Sequence, residues 1–518
     1  MTAPRFKPIS NITATFEVMQ GNFGYGQIAN PTDNGETSIR RYDFTNGTVS
    51  DVFDITTLNA NYVYERMWSS PLFEFLLVKD TTPAGTDNYF TLYRAPSGNF
   101  TTWTQVYELG SNGSGGRNLN VEFLGPAAYS AATQRMYFVE YNPEQAATGA
   151  AGLYRSALGY VDSSGNWNEA ASWNESVTSR AAQMPRHFHG IVADPSNGIL
   201  SLCSGDDTTQ AWIIKFNPSV AVWSDDMLPA DFKSTAGFAV IESENPLDNA
   251  RAININYSGA YMYWISDADG TSAGIWRASR DLISEFPETT NSNIHDLFPN
   301  QGDGMFGWNS FTLTDGRVMA FLCPHTTVDP EQSFIRCYVN SLDDELTFTN
   351  VGIMHTTIGT GVRVERIQYI PNTNRIAISF NFGAGTPVAG SGSNNAAGTT
   401  STTIVEIWKE GGKELPFREE RPDTWWPVRF VAKTNALGVP SKDGVTGAGE
   451  DSKDSPTWHG FDEFNTWLTL DHALLGSGGK IVYGTRIMVG DGDYEMERII
   501  PAFNGTSGYP ILTGETVV

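Results

Sequence analysis

The densest cluster of ring nitrogens in this chain is His187 and His189, in the run Arg186-His187-Phe188-His189. Alternation along a strand puts the two imidazoles on one face, a geometry able to hold a metal ion or the hydroxyls of a sugar. No third ligand stands beside them in the sequence, so hydrogen-bonded structural histidines are the competing reading. Asp267-Ala268-Asp269-Gly270-Thr271 and Asp491-Gly492-Asp493 have the oxygen-rich, glycine-containing form of a calcium loop. Both lack the downstream glutamate of an EF-hand. Calcium at Asp267 and Asp269 is therefore the metal hypothesis, a tight β-turn the alternative, and no other cofactor is expected. Glycine-rich stretches such as 110–116 open no helix and so do not read as phosphate loops. No serine elbow precedes Gly190, and no Ser/His/Asp set stands out. Cys203, Cys323 and Cys337 are odd in number and form no CxxC pair, which fits neither a disulfide framework nor zinc.

Such residues must be positioned by short strands, and the strands repeat. An apolar segment carrying a basic residue recurs as Ile39-Arg40-Arg41, Leu92-Tyr93-Arg94, Leu153-Tyr154-Arg155 and Ile213-Ile214-Lys215. It continues as Ile275-Trp276-Arg277, Phe334-Ile335-Arg336 and Ile407-Trp408-Lys409. The last interval is lengthened by the Gly/Ala/Ser/Asn/Thr insertion 383–402, which reads as a surface loop. An aromatic residue follows each segment at a near-fixed distance: Phe53, Trp103, Trp167, Trp223, Phe286, Phe348 and Phe417. Strand, polar turn and aromatic-bearing strand make an outer hairpin, and the repeated aromatics read as wedges between neighbouring sheets. A second hairpin precedes most of these. It is clearest at 190–203, where Pro195-Ser196-Asn197-Gly198 turns between two apolar strands, and it is matched at 367–380, 311–322 and 127–139.

Two hairpins per repeat make four strands, and four-stranded sheets repeated radially are propeller blades. A repeat of roughly sixty residues is too short for sandwich domains of about a hundred residues and too long for β-helix rungs. The predicted fold class is all-β, a β-propeller of about seven four-stranded blades over 38–420. Six or eight blades are the alternatives. Residues 1–37 form an N-terminal segment with a closing strand near 13–19. Residues 421–518 form a β-rich C-terminal region, with apolar segments at 464–475, 480–489 and 494–503. Trp425, Trp426, Trp458 and Trp467 there would either form a docking patch or fill an extra blade.

Acidic residues outnumber basic ones 58 to 33, a formal net charge of −25, and no Lys/Arg run offers a local exception. Nucleic acid is therefore not an expected partner. A hydrophobic share of 40% supplies a large core, and a 12% aromatic share suits sheets. Only 18% of residues are charged, so Ser, Thr, Asn and Gly must make up much of the polar surface, as is common in proteins exposed outside cells. The N-terminus lacks the apolar core of a signal peptide, and no segment reaches the ~18 apolar residues of a spanning helix. The expectation is synthesis in the host cytoplasm, with neither signal-directed export nor membrane insertion.

The hairpin 92–103, reading LYRAPSGNFTTW, resembles the Asp-box hairpins of sialidase-type β-propellers, in which a Ser-x-Asp-x-Gly-x-Thr-Trp turn tucks its aromatic residue between sheets. Ala278-Ser279-Arg280-Asp281 is a partial match, the turn from Asn217 to Trp223 a weaker one, and no repeat carries the complete box. The resemblance implies a role for arginines, because sialidases grip a carboxylate with guanidinium forks. Arg117, Arg186 and Arg363 each stand just before a presumed innermost strand of a different blade. With His187 and His189 they are the candidate ligand-binding residues, solvated rim arginines being the alternative. Glu365 and Tyr369 are near in sequence, but nothing singles them out as a catalytic pair, and no catalytic residue is assigned. The signal-free acidic chain with degenerate hairpins also resembles virion proteins of tailed bacteriophages, in the tail, spike or fibre. That likeness implies docking to other virion subunits, a homo-oligomer within the assembly, and loops that bind host-surface glycans. A carbohydrate-active enzyme and a non-catalytic cytosolic scaffold are the rival readings.

Overall fold

A computed structural model describes residues 5–29, 36–82, 89–110, 121–123, 125–141, 155–174, 188–205, 210–244, 249–252, 254–268, 274–293, 305–306, 310–312, 317–324, 334–340, 348–355, 362–371, 373, 375–382, 401–408, 480–489, 492–501 and 511–512. Antiparallel sheets follow one another along the chain. Blade 2 is Tyr62–Ser69, Phe73–Asp80, Tyr89–Pro96 and Thr104–Glu108. Blade 3 is Ala128–Ser130, Arg135–Val139, Arg155–Val161 and Trp167–Asn174. Blade 4 is Phe188–Ala193, Leu200–Ser204, Trp212–Phe216 and Phe238–Glu242. Blade 5 is Asn256–Ser258, Tyr261–Ile265, Gly274–Ser279 and Glu288–Asn293. Blade 6 is built on Ser310–Thr312, Val318–Pro324, Phe334–Asn340 and Phe348–His355.

Blades 1 and 7 share a strand. Residues 14–20 of Arg5–Gln20 pair with Phe23–Ile28 and begin blade 1, which continues through Ser38–Asp43 and Thr48–Asp54. Residues 5–13 of the same strand pair with Ser401–Trp408, Phe6 opposite Ile407 and Thr13 opposite Ser401. They complete blade 7 behind Val362–Tyr369 and Arg375–Phe382. One strand thus ties the last blade to the first and removes the edges an open ring would leave unpaired. Pro8 fits this outermost position, where one side of the strand needs no donor. Phe417, expected on the outer strand of this blade, lies outside the described residues; among the described residues that edge is taken by residues 5–13.

The core lies between blades, because period-two alternation sends successive side chains to opposite faces. In Trp212–Phe216, Trp212, Ile214 and Phe216 pack toward blade 3 while Ile213 packs toward blade 5. Separate apolar clusters fill the seams from blade 7 to 1, 1 to 2, 2 to 3, 3 to 4, 4 to 5 and 5 to 6. Trp103, Trp167 and Trp223 each sit at such a seam, as their repeated spacing predicts. Phe286 does not; it is 56% exposed. Nor does Trp223 lie on the fourth strand of its blade. A short helix, Pro229–Ser234, intervenes, and that strand is Phe238–Glu242.

The recurring basic residue also has a structural cause. Arg94 Nε donates to Gly165 O at 2.8 Å, and Lys215 Nζ donates to Ser279 O at 3.0 Å and Asp281 O at 2.6 Å. Each cation on a third strand reaches the outer turn of the next blade. The turn that receives Arg94 begins at Asp162, whose carboxylate accepts the N–H groups of Ser164 and Asn166, both at 2.9 Å. The turn leads directly into Trp167. Beyond the propeller, Lys480–Val489 and Gly492–Pro501 form a hairpin, and Ile511–Leu512 pairs with the outer strand of blade 6.

Candidate functional site on the inner strands

First strands lie against one another where blade 7 meets blade 1, 1 meets 2, 3 meets 4 and 5 meets 6, which makes them the innermost. Four of them break register at one residue: between Phe16 and Val18, Tyr64 and Arg66, Phe188 and Gly190, and Val364 and Arg366. The inserted residues are Glu17, Glu65, His189 and Glu365. A bulge leaves its extra residue out of the ladder and resets the alternation after it. Phe16 accordingly packs toward blade 7 but Val18 toward blade 2, and Tyr64 and Met67, three residues apart, share one seam. In blade 3, Glu122 precedes the first strand, its N–H and C=O exchanging bonds with Tyr141.

Glu17 joins three blades. Its Oε2 accepts the Met67 N–H of blade 2 at 3.1 Å and meets Arg366 of blade 7 at 3.5 Å, while its backbone carbonyl accepts Gln368 Nε2 at 2.7 Å. Its side chain is 5% exposed. Tyr64 is buried beside it, and the phenol hydroxyl has no hydrogen-bond partner among the described residues. Burial first, and Glu17 next, push that phenol well above its ordinary range, against the opposing pull of Arg366 and Arg66. It stays protonated, which is the wrong state for a nucleophile. Burial likewise pushes Glu122 up to about 7, with Glu65 adding to the effect and Arg66 and Lys79 opposing it. His189 is buried, with Nδ1 2.9 Å from Ala252 O ahead of blade 5. A carbonyl only accepts, so Nδ1 carries the proton.

The expected ligand residues are brought together only in part. Arg363 lies in the first strand of blade 7, its backbone opposite Asn381. Asp267 pairs through its backbone with Phe306. Arg117, Arg186, His187 and Asp269 lie outside the described residues. Among the described residues no three His, Cys, Asp or Glu side chains are grouped to hold a metal ion. Glu17, Glu65 and Glu122 escaped the sequence reading, although a signal exists: an apolar residue followed by Glu recurs within or ahead of four inner strands, at Phe16-Glu17, Tyr64-Glu65, Val121-Glu122 and Val364-Glu365.

No family model and no curated protein matches the chain. Solved structures do. The phage phi92 endosialidase matches with a TM-score of 0.37 at 11% identity, over 86% of this chain and 74% of that one. A GH43 β-1,3-galactosidase matches with a TM-score of 0.31 at 12% identity, over 55% of this chain and 92% of that one. The β-propeller domain of the trilobed protease from Pyrococcus furiosus matches with a TM-score of 0.34 at 7% identity, over 72% and 92%. None of these carries a substrate or a role over to this chain. The described residues form a seven-bladed β-propeller, defined by their own strand pairing.

Proposed function

We propose that this chain is a structural component of a tailed-phage virion, in the tail, spike or fibre. In this reading it docks other virion subunits, assembles as a homo-oligomer within the particle and offers loops to host-surface glycans. The observation that carries the non-catalytic part is the engagement of the inner strands' polar groups in bonds between blades. Glu17 bridges blades 7, 1 and 2, and His189 bridges blades 4 and 5. Side chains so committed brace a platform rather than attack a substrate. The acidic, weakly charged composition and the degenerate Asp-box turns support the virion part. Calcium at the Asp267 loop would stiffen that loop without altering the reading.

The test is quantitative mass spectrometry of purified tailed particles from the source of the sequence, with a glycoside assay of the isolated protein beside it. The reading predicts the chain in fixed proportion to known tail subunits and no turnover. Turnover of sialosides or other glycosides that Arg363→Ala abolishes would establish the enzyme instead.

A further inference from the structure

The large apolar side chains left exposed are not scattered. Among the described residues they are Val220, Val222, Ile283 and Phe286, at 52%, 75%, 49% and 56% exposure, with Val49 at 38% apart from them in blade 1. These four flank one edge, the outermost strand of blade 4, Phe238–Glu242. Val220 and Ala221 abut the residue before it: a Cβ added to Gly237 would lie 2.8 Å from Ala221 N and 3.1 Å from the Val220 carbonyl carbon. Farther along, Ser284 Oγ accepts the Val240 N–H at 3.0 Å, Glu285 N–H donates to Val240 O at 3.2 Å, and Glu242 N–H donates to Glu285 O at 3.4 Å. Residues 283–286 of blade 5 therefore run beside that strand. The apolar strip spans about five strand residues, roughly 17 Å.

Its border is acidic. The basic residues around it are already engaged: Lys215 with Glu285, Lys233 with Glu242, Arg277 with Glu288 and Arg280 with Asp194. Glu244 and Asp281 are exposed and enter none of these pairs, and neither does Asp225, an exposed carboxylate whose Oδ1 accepts the Ser172 N–H at 2.7 Å. A second copy of the chain would bring the same acidic border and a net charge of −25, setting like charges face to face. The complementary surface is apolar at its centre and basic at its rim.

We propose that this strip is a docking surface for a partner chain presenting an aliphatic or aromatic anchor flanked by Lys or Arg. Apolar side chains of the partner cover Val222 toward one end of the strip and Phe286 toward the other, and the flanking cations meet Asp225, Glu244 and Asp281. The surface stands whether or not the partner is a virion subunit, so it is tested apart from that reading.

The full chain is titrated, with fluorescence anisotropy as readout, against a labelled peptide alternating Leu with Lys and a second alternating Leu with Glu. The expected result is saturable binding of the Leu/Lys peptide, none of the Leu/Glu peptide, and at least about a tenfold loss in the Val222→Asp, Phe286→Asp double variant. Both sites are exposed, and an unchanged melting curve shows that the variant folds. Equal affinity of wild type and variant would reduce the binding to general charge attraction and overturn the proposal. Phe286→Cys should react with a maleimide above the wild-type background. Protection would show that the chain covers the strip itself, and a wild-type oligomer dissociated by the double variant would show that a second copy does; either overturns the proposal.

Discussion

Glu122 is the residue at which charge and burial conflict most openly. Its carboxyl titrates near 7 in the fold against an ordinary value of 4.5, so between those limits the folded chain holds a proton that the unfolded chain has lost. The stability this contributes is fully present below the lower value and falls as pH rises through the upper one. Glu122→Gln should therefore melt higher than wild type at about pH 8 and almost together with it at about pH 4.5, which thermal scans across that range check. Glu17 presents the opposite case, a buried carboxylate that is paired. Glu17→Ala strands Arg366 and the Met67 N–H, at a cost of about 2–4 kcal/mol, and Glu17→Gln, which keeps an acceptor, should lose less. Urea titration separates them. The two aromatics that share a repeat position should differ as sharply. Trp223 packs edge-on against Trp173, Phe216, Phe232 and Phe238, so Trp223→Ala should cost about 3–5 kcal/mol. Phe286→Ala should stay within about 0.5 kcal/mol of wild type.

The outer hairpins were the most legible elements, because a basic residue and an aromatic one recur in them, and at Arg94 and Lys215 the basic residue staples one blade to the next. The spacing reports the contact between Arg94 and Gly165 as plainly as it reports a strand. Gly165 shows what that contact demands. Its φ is +84°, and a Cβ there would fall 2.1 Å from Arg94 Nε. Gly165→Ala should accordingly destabilise by more than about 1 kcal/mol, since it forces a left-handed backbone and displaces the staple together. The inner-strand bulges were not legible as geometry. No propensity marks the residue at which a ladder slips, and Glu17 reads like any solvent-facing carboxylate until Met67 and Arg366 are seen around it. Phe286 misled for a related reason. Spacing placed it with the seam-filling aromatics, but the segment carrying it runs along the edge of blade 4 and turns its ring outward.

At the scale of the molecule, repetition made the architecture and the blade number readable, whereas closure depended on a pairing between the two ends of the propeller. Nothing local in residues 5–13 names Ser401–Trp408 as their partner. That pairing yields a contrast between truncations. Removing residues 1–13 should expose the edge of blade 7 and give insoluble or unfolded protein, while removing 421–518 should leave a soluble, cooperatively melting propeller. The described tail strand, Ile511–Leu512, extends the outer edge of blade 6 and lies beside the strand Arg5–Gln20, and neither pairing of that closing strand depends on it. The most direct test of the account is a cryo-electron microscopy map of purified tailed particles from the source of this sequence. The account predicts a ring of seven four-stranded sheets fitting this chain in the tail, with residues 5–13 paired to Ser401–Trp408. Particles with no density for the chain, or a ring closed by a different strand, would contradict it.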